Sequence, residues 1–241
     1  MGTREGRATQ QQHCRWMLRP LLIKYSIWYY LVIVDKLMNG YRSFRDDVFE
    51  TSRPLIKNLV AEGQNPEVAV VACSDSRVDP AILFQADPGD LFVIRNVANL
   101  VPPMEQEGTF HGTSAALEYA ILGLGVKHLI VLGHAHCGGI KAMMSPDPAN
   151  DQYAYIPSWV SMLEAAHRRV LATMSQASDV TRIRACEQNA VLVSLENLTT
   201  FPWVRKRVET GDLKLHGWYV DIATPELCVY DWEAGKFTTV V

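Results

Sequence analysis

Two short apolar runs, each ending abruptly in side chains that bind metals and move protons, constrain what this chain can become. The first, Val68 to Ala72, leads into Cys73-Ser74-Asp75-Ser76-Arg77; the second, His128 to Gly133, leads into His134-Ala135-His136-Cys137-Gly138-Gly139. Both are apolar at nearly every position rather than at alternate ones, which marks strands covered on both faces in a parallel sheet. Between them, Asp79-Pro80 predicts the cap and first residue of a short helix. Asp87-Pro88-Gly89-Asp90 predicts a turn into a strand at Leu91 to Ile94 that ends in Arg95-Asn96. Gly112-Thr113-Ser114 opens a helix through Leu122, apolar nearly all round and so expected to be buried. Strand, helix, strand, helix, strand is a parallel α/β pattern. In such sheets ligands gather at the carboxyl ends of the strands, where both reactive clusters fall.

The remaining sequence adds helices and a few strands. Leu37, Tyr41, Phe44, Val48 and Phe49, then Leu55, Ile56, Leu59 and Val60, fall at helical spacing, and Pro54 is expected near the start of the second helix. Beyond Ser145, helical spacing returns around Trp159 to Val170, over Ile183 to Leu198 and from Pro202 to Val208. Strands are expected at His216 to Ile222, at Glu226 to Asp231 and at the C-terminus. The expected fold is therefore α/β: a parallel-centred sheet flanked by helices, with an N-terminal helical arm and C-terminal antiparallel strands. Residues 35–241 are expected to form one catalytic domain, and residues 1–34 an extension.

Composition narrows the chemistry. With 241 residues, a formal charge of −3 and no Lys/Arg block, the chain lacks the basic footprint that nucleic acid requires, so a small-molecule substrate is favoured. Five unevenly spaced cysteines do not form a disulfide framework; they favour a reducing compartment, and a cytoplasmic protein is expected. Cys14, Cys186 and Cys228 have no companion ligands and are expected to be inert. The apolar run Leu21 to Val34, preceded by Arg15 and Arg19, raises export or membrane anchoring. It is shorter than the roughly 20 residues a spanning helix needs, holds Lys24, and is followed by no small-x-small cleavage site. A loose extension, or a start at Met38, is favoured over membrane contact.

If the first strand stays extended beyond Ala72, Cys73, Asp75 and Arg77 lean to one side at alternate positions. Cys73 with His134-x-x-Cys137 then offers two thiolates and an imidazole. That soft set selects zinc over calcium or magnesium and leaves a fourth position for water or a carboxylate. His134 pairs with Cys137 better than His136 does, since positions i and i+3 in a helix-opening turn can face one point. Arg77 is expected to pair with Asp75, keep it ionised and hold it off the metal. The carboxylate can then accept a hydrogen bond from zinc-bound water, whose pKa falls toward about 7.

Cys73-Ser74-Asp75-Ser76-Arg77 and Gly133-His134-Ala135-His136-Cys137-Gly138-Gly139 together resemble the paired signatures of the β-class carbonic anhydrases. Arg95 to Asn99, Gly112 to Tyr119 and His216-Gly217-Trp218 also look like family segments. The resemblance spans about Asp35 to Val241. It implies a zinc enzyme that interconverts carbon dioxide and bicarbonate through a zinc-bound hydroxide, assembled as a homodimer or higher homo-oligomer with swapped N-terminal helices. By motif, Cys73, His134 and Cys137 correspond to the zinc ligands and Asp75 with Arg77 to a catalytic gating pair. Gln64, Phe92, Val97, Tyr119 and the Gly138 N–H correspond to substrate-binding positions, some supplied by the neighbouring subunit. The family has a form that closes when the aspartate becomes the fourth zinc ligand, and that form carries tryptophan three residues before the first cysteine. Val70 stands there in this chain, which with Gln64 implies the open form.

Two alternatives use the same residues: a carbon disulfide or carbonyl sulfide hydrolase, and a non-catalytic zinc-binding module. The Asp75-Arg77 pair speaks against the latter, because a structural zinc site is closed by four protein ligands. Nucleotide binding is disfavoured, since the glycines near His134 lack a following Gly-Lys-Ser/Thr.

Overall fold

The computed structural model describes residues 27–105, 111–144 and 153–241. Cys14 and most of the extension lie outside them. The chain divides into two compact units, residues 1–61 and 62–241. In the first, helix α1 (Ile27–Ser43) passes through a π-helical turn (Phe44–Val48) into α2 (Phe49–Glu62). Ile27 to Val34, expected in a loose extension, is thus helical. Pro54 lies inside α2 rather than near its start, and its missing N–H leaves the carbonyl of Glu50 without a helical donor. No helix among the described residues is long and apolar enough to cross a membrane.

The second unit is built on one six-stranded sheet, ordered β2-β1-β3-β4-β5-β6. The strands are β1 (Val68–Cys73), β2 (Leu91–Asn96), β3 (His128–His134), β4 (Lys214–Asp221), β5 (Glu226–Asp231) and β6 (Lys236–Thr239). β2, β1, β3 and β4 pair in parallel, and β5 and β6 add antiparallel at one edge. β4 therefore ends the parallel core and begins the antiparallel tail, as expected of a parallel-centred sheet with C-terminal antiparallel strands. Ala69 to Ala72 and Leu129 to Leu132 are all buried, as their continuous apolar character requires.

Helices cover both faces: α3 (Pro80–Leu83), α4 (Gly112–Glu118), α5 (Gly138–Met144), α6 (Ile156–Val160), α7 (Glu164–Thr173), α8 (Asp179–Leu198) and α9 (Pro202–Glu209). Asp79 caps α3, its carboxylate accepting from the N–H of Ala81 and of Ile82. The segment from α4 through Gly123 is not buried all round. Leu117, Ala120 and Ile121 face the core, while Tyr119 is 52% and Leu122 54% exposed. α8 lies close against β3: a Cβ at Gly133 would stand 2.5 Å from Val191 Cγ2, so only glycine fits there.

At the amino ends of β3 and β4 the half-buried rings of His128 and His216 share a hydrogen bond, Nδ1 to Nε2, at 3.0 Å. Burial, then the neighbouring His128 and Lys214, depress the pKa of His216. Above the ordinary histidine value of about 6.5, folded and unfolded chains both keep this ring neutral. Below it, the unfolded chain takes up a proton that the folded one resists, so stability falls as pH drops. Thermal melting between about pH 8 and pH 5.5 is expected to show a steeper acid-side loss for the wild type than for His216→Gln; parallel profiles would remove this pair from the acid response.

Candidate metal centre

Parallel pairing sets β1 and β3 side by side, with Val68 opposite His128 and Ala72 opposite Leu132. Cys73 ends β1 and His134 ends β3, so both emerge at the same sheet edge. The chain then turns through Ala135 and His136 and brings back Cys137. One ligand atom from each of Cys73, His134 and Cys137 lies within 4.8 Å of the others, and all three residues are buried. His136 is exposed, in keeping with His134 as the inward histidine.

This donor set fits a tetrahedral metal ion. Two thiolates each about 2.3 Å from one such ion lie about 3.8 Å apart, and the Sγ atoms of Cys73 and Cys137 are separated by 4.0 Å. His134 Nδ1 donates to the carbonyl of Ala135 at 2.8 Å, which fixes the ring and leaves Nε2 with the free lone pair. Nε2 is buried without a hydrogen-bond partner. A buried orphan of this kind is rare, and here it belongs to the group facing the two thiols.

The site is electrically primed for a cation. Hydrogen bonding with Cys137 pushes the Cys73 thiol down against its burial, with help from His134. The same bond, with burial, pushes Cys137 up. Burial opposes charge on His134, but the neighbouring Cys73 sulfur, with the Ala135 carbonyl, outweighs it and raises the ring's pKa.

Asp75 and Arg77 do not continue the strand. β1 ends at Cys73, and the chain turns because Asp75 Oδ1 accepts from the Arg77 N–H at 3.0 Å. The side chains then meet face to face: Arg77 Nε donates to Asp75 Oδ1 at 2.9 Å and Nη2 to Oδ2 at 2.7 Å. Arg77 therefore holds the Asp75 carboxyl well below the usual carboxylate range, and both oxygens are engaged by it. Arg95, on β2, secures this loop from below, donating from Nε to the Cys73 carbonyl at 3.0 Å and from Nη2 to those of Asp75 at 2.7 Å and Val78 at 2.9 Å.

The remaining sequence-derived positions divide. Val97 packs beside the cluster that contains both thiols, close enough that a Cβ at Gly139 would stand 2.8 Å from its Cγ1. Gly138 is exposed at the start of α5. Phe92 belongs to a different packing cluster and stacks on exposed Tyr119, ring centroids 5.9 Å apart. Gln64 is exposed in the loop before β1.

Sequence reading missed Glu187 and Tyr219. Glu187, on α8, is 3% exposed, and its Oε1 accepts from the Cys137 N–H at 2.9 Å. Its Oε2 accepts from the hydroxyl of fully buried Tyr219 at 2.7 Å. Burial raises the Glu187 pKa, against these two donors. The signal was present: Glu187 shares the buried stripe of α8 with Val191, Ser194 and Leu198, an unusual place for a carboxylate.

Comparison with known proteins agrees with this geometry. A family profile described as carbonic anhydrase matches residues 68–227. A carbonic anhydrase of Synechocystis sp. is 36% identical over 198 residues, 82% of this chain and 71% of the relative. The chloroplastic β carbonic anhydrase 5 of Arabidopsis thaliana is 35% identical over 206 residues, 85% of this chain and 67% of the relative. Among solved structures, the β-carbonic anhydrase CcaA aligns with a TM-score of 0.81 at 35% identity, over 87% of this chain and 93% of the other. A tetrameric β-carbonic anhydrase from the ascomycete Sordaria macrospora aligns at 0.65 and 26% identity, over 88% and 96%. With a family profile over about two thirds of the chain and relatives more than 30% identical over four fifths of it, this chain belongs to the β-class carbonic anhydrase family.

Proposed function

We propose that this protein catalyses the reversible hydration of carbon dioxide to bicarbonate and a proton, with zinc held by Cys73, His134 and Cys137. The observation that carries the reading is the convergence of these three ligand atoms within 4.8 Å beside a carboxylate locked to a guanidinium. When bound, zinc supplies Lewis acidity that brings the pKa of a bound water toward about 7 and so provides a nucleophile near neutral pH.

The protein's own groups orient that chemistry. Held ionised by Arg77, Asp75 is an acceptor only. It receives a hydrogen bond from the attacking water and turns the lone pair toward the carbon of the substrate. Because both Asp75 oxygens face Arg77, the carboxylate stays off the metal, which supports the open form. Val97 supplies an apolar wall beside the ligands, and Gly138 offers a backbone N–H to the bicarbonate oxygen. Gln64, Phe92 and Tyr119 complete the carbon dioxide pocket, with part of its apolar wall supplied by a second copy of the chain. The exposed apolar side chains of Val93, Tyr119 and Leu122 support such a homo-oligomer, and the Sordaria macrospora relative is tetrameric.

Stopped-flow carbon dioxide hydration on zinc-assayed protein from about pH 6 to pH 9 tests the activity. Turnover is expected to rise with pH through one ionisation. A zinc-loaded protein that leaves the uncatalysed rate unchanged at every pH would overturn the reading.

Cys73→Ser is expected to lose zinc and turnover together, with metal affinity reduced by at least about tenfold. Full zinc content in the folded variant, measured by atomic absorption, would remove Cys73 from the ligand set. Asp75→Asn is expected to keep its zinc while turnover falls by about 100-fold, since the amide cannot act as a pure acceptor. Unchanged kcat across pH would exclude Asp75 from the reaction.

A further inference from the structure

The peptide group that joins His136 to Cys137 is gripped at one end by a guanidinium and at the other by a carboxyl group. Its carbonyl accepts from Arg77 Nη2 at 3.0 Å, and its N–H donates to Glu187 Oε1 at 2.9 Å. In a trans peptide these two bonds point in opposite directions, so the guanidinium and the carboxylate approach from opposite sides. Each meets the end of the peptide dipole that attracts it.

The grip has a reason to exist. His136 adopts φ of 59°, a left-handed value that few non-glycine residues take. The residue after the gripped peptide is Cys137, and the side chain on its carbonyl is the partner of Asp75. Rotation of this one peptide would move a ligand sulfur and release Arg77 from one of its anchors.

Glu187 is in turn held from behind. Tyr219 donates to its second oxygen at 2.7 Å, and the Arg184 guanidinium sits 5.7 Å from the centroid of the Tyr219 ring. Arg184 also pairs with Asp221 at 3.2 Å. The other end of the ligand loop is tied to the same strand, with the Ala135 N–H donating to the Val220 carbonyl at 2.9 Å. A carboxylate that served only to fill space here would be replaced at lower cost by an apolar side chain, because a buried charge is unfavourable unless its hydrogen bonds are satisfied.

We propose that Glu187, braced by Tyr219, is a positioning residue for the metal centre: it fixes the 136–137 peptide so that Cys137 keeps its ligand geometry and Arg77 stays seated on both His136 and Asp75. The proposal rests on the reading of Cys73, His134 and Cys137 as metal ligands.

The test compares wild type with Tyr219→Phe, Glu187→Gln and Glu187→Ala, each checked for folding by circular dichroism. Zinc transfer to a chromophoric chelator gives the release rate. Cobalt(II) substitution gives the thiolate-to-metal and d–d absorption bands. Glu187→Ala and Tyr219→Phe are expected to release zinc about 10- to 100-fold faster and to shift the cobalt bands. Glu187→Gln is expected to restore most of the loss, because its amide oxygen still accepts from Cys137 while its N–H2 donates to the Tyr219 hydroxyl. Zinc release and cobalt bands unchanged in folded Tyr219→Phe and Glu187→Ala would overturn the proposal. So would an equal drop in melting temperature with and without zinc at an unchanged release rate, which is the signature of packing alone. If Glu187→Ala does not fold, Tyr219→Phe and Glu187→Gln decide by the same criteria. A wild type that holds no stoichiometric zinc overturns the metal reading and this proposal together; zinc-loaded wild type with silent variants overturns this proposal alone.

Discussion

The parallel register between β1 and β3 is the constraint on which the candidate site depends. With Ala72 opposite Leu132, both strands end at one edge of the sheet, and Cys73 and His134 become neighbours although 60 residues of chain lie between them. A slip of one residue would turn every buried side chain to the other face. It would also take Cys73 away from His134. Ala69 to Ala72 and Leu129 to Leu132 are buried on both faces, so apolar burial alone specifies position along the strand weakly. Close packing supplies the remainder: Gly133 lies under Val191 of α8 with no space for a Cβ, which pins β3 to that helix at the residue before the ligand.

Charge then works where packing leaves off. The two loops after β1 and β3 have little secondary structure of their own, and their backbone groups are met by arginine and glutamate side chains. Arg95 gathers the carbonyls of Cys73, Asp75 and Val78, while Arg77 and Glu187 take the two ends of the 136–137 peptide. Guanidinium groups suit this work because their several N–H donors lie in a fixed plane. Bonds to charged partners are also roughly twice as strong as neutral ones.

How much of this the sequence disclosed follows from the range of each interaction. The strands, the capped helix at Pro80 and the pairing of Asp75 with Arg77 depend on neighbours within a few residues, and they were legible. The extended path expected for Asp75 and Arg77 was not realised. The Asp75 carboxylate bonds the backbone N–H two residues on, and such a turn competes with strand geometry. The helix from Gly112 was expected to be covered all round because its composition is apolar, yet Tyr119 and Leu122 stand exposed in a single chain. Composition reports what a helix can bury and not which copy of the chain buries it. Glu187 escaped for a different reason: its partners, Cys137 and Tyr219, lie 50 and 32 residues away, and only the fold brings them together.

The ligand triad itself is an incomplete piece of protein structure. Two buried thiols lie with their sulfurs 4.0 Å apart, and a buried imidazole nitrogen beside them has no partner. Each of these features is unfavourable for a protein interior, and a neighbouring residue in left-handed backbone adds strain. A divalent cation would relieve the first two at once, since it would take the sulfurs as thiolates and satisfy the free lone pair. Binding free energy at such a centre is therefore also folding free energy for the loops that carry it. The rigid parts, Gly133 against Val191 and the Arg95 and Glu187 anchors, lie outside the triad. They hold the backbone around Cys73, His134 and Cys137 from outside, so the strained loop does not depend on the three side chains alone for its shape.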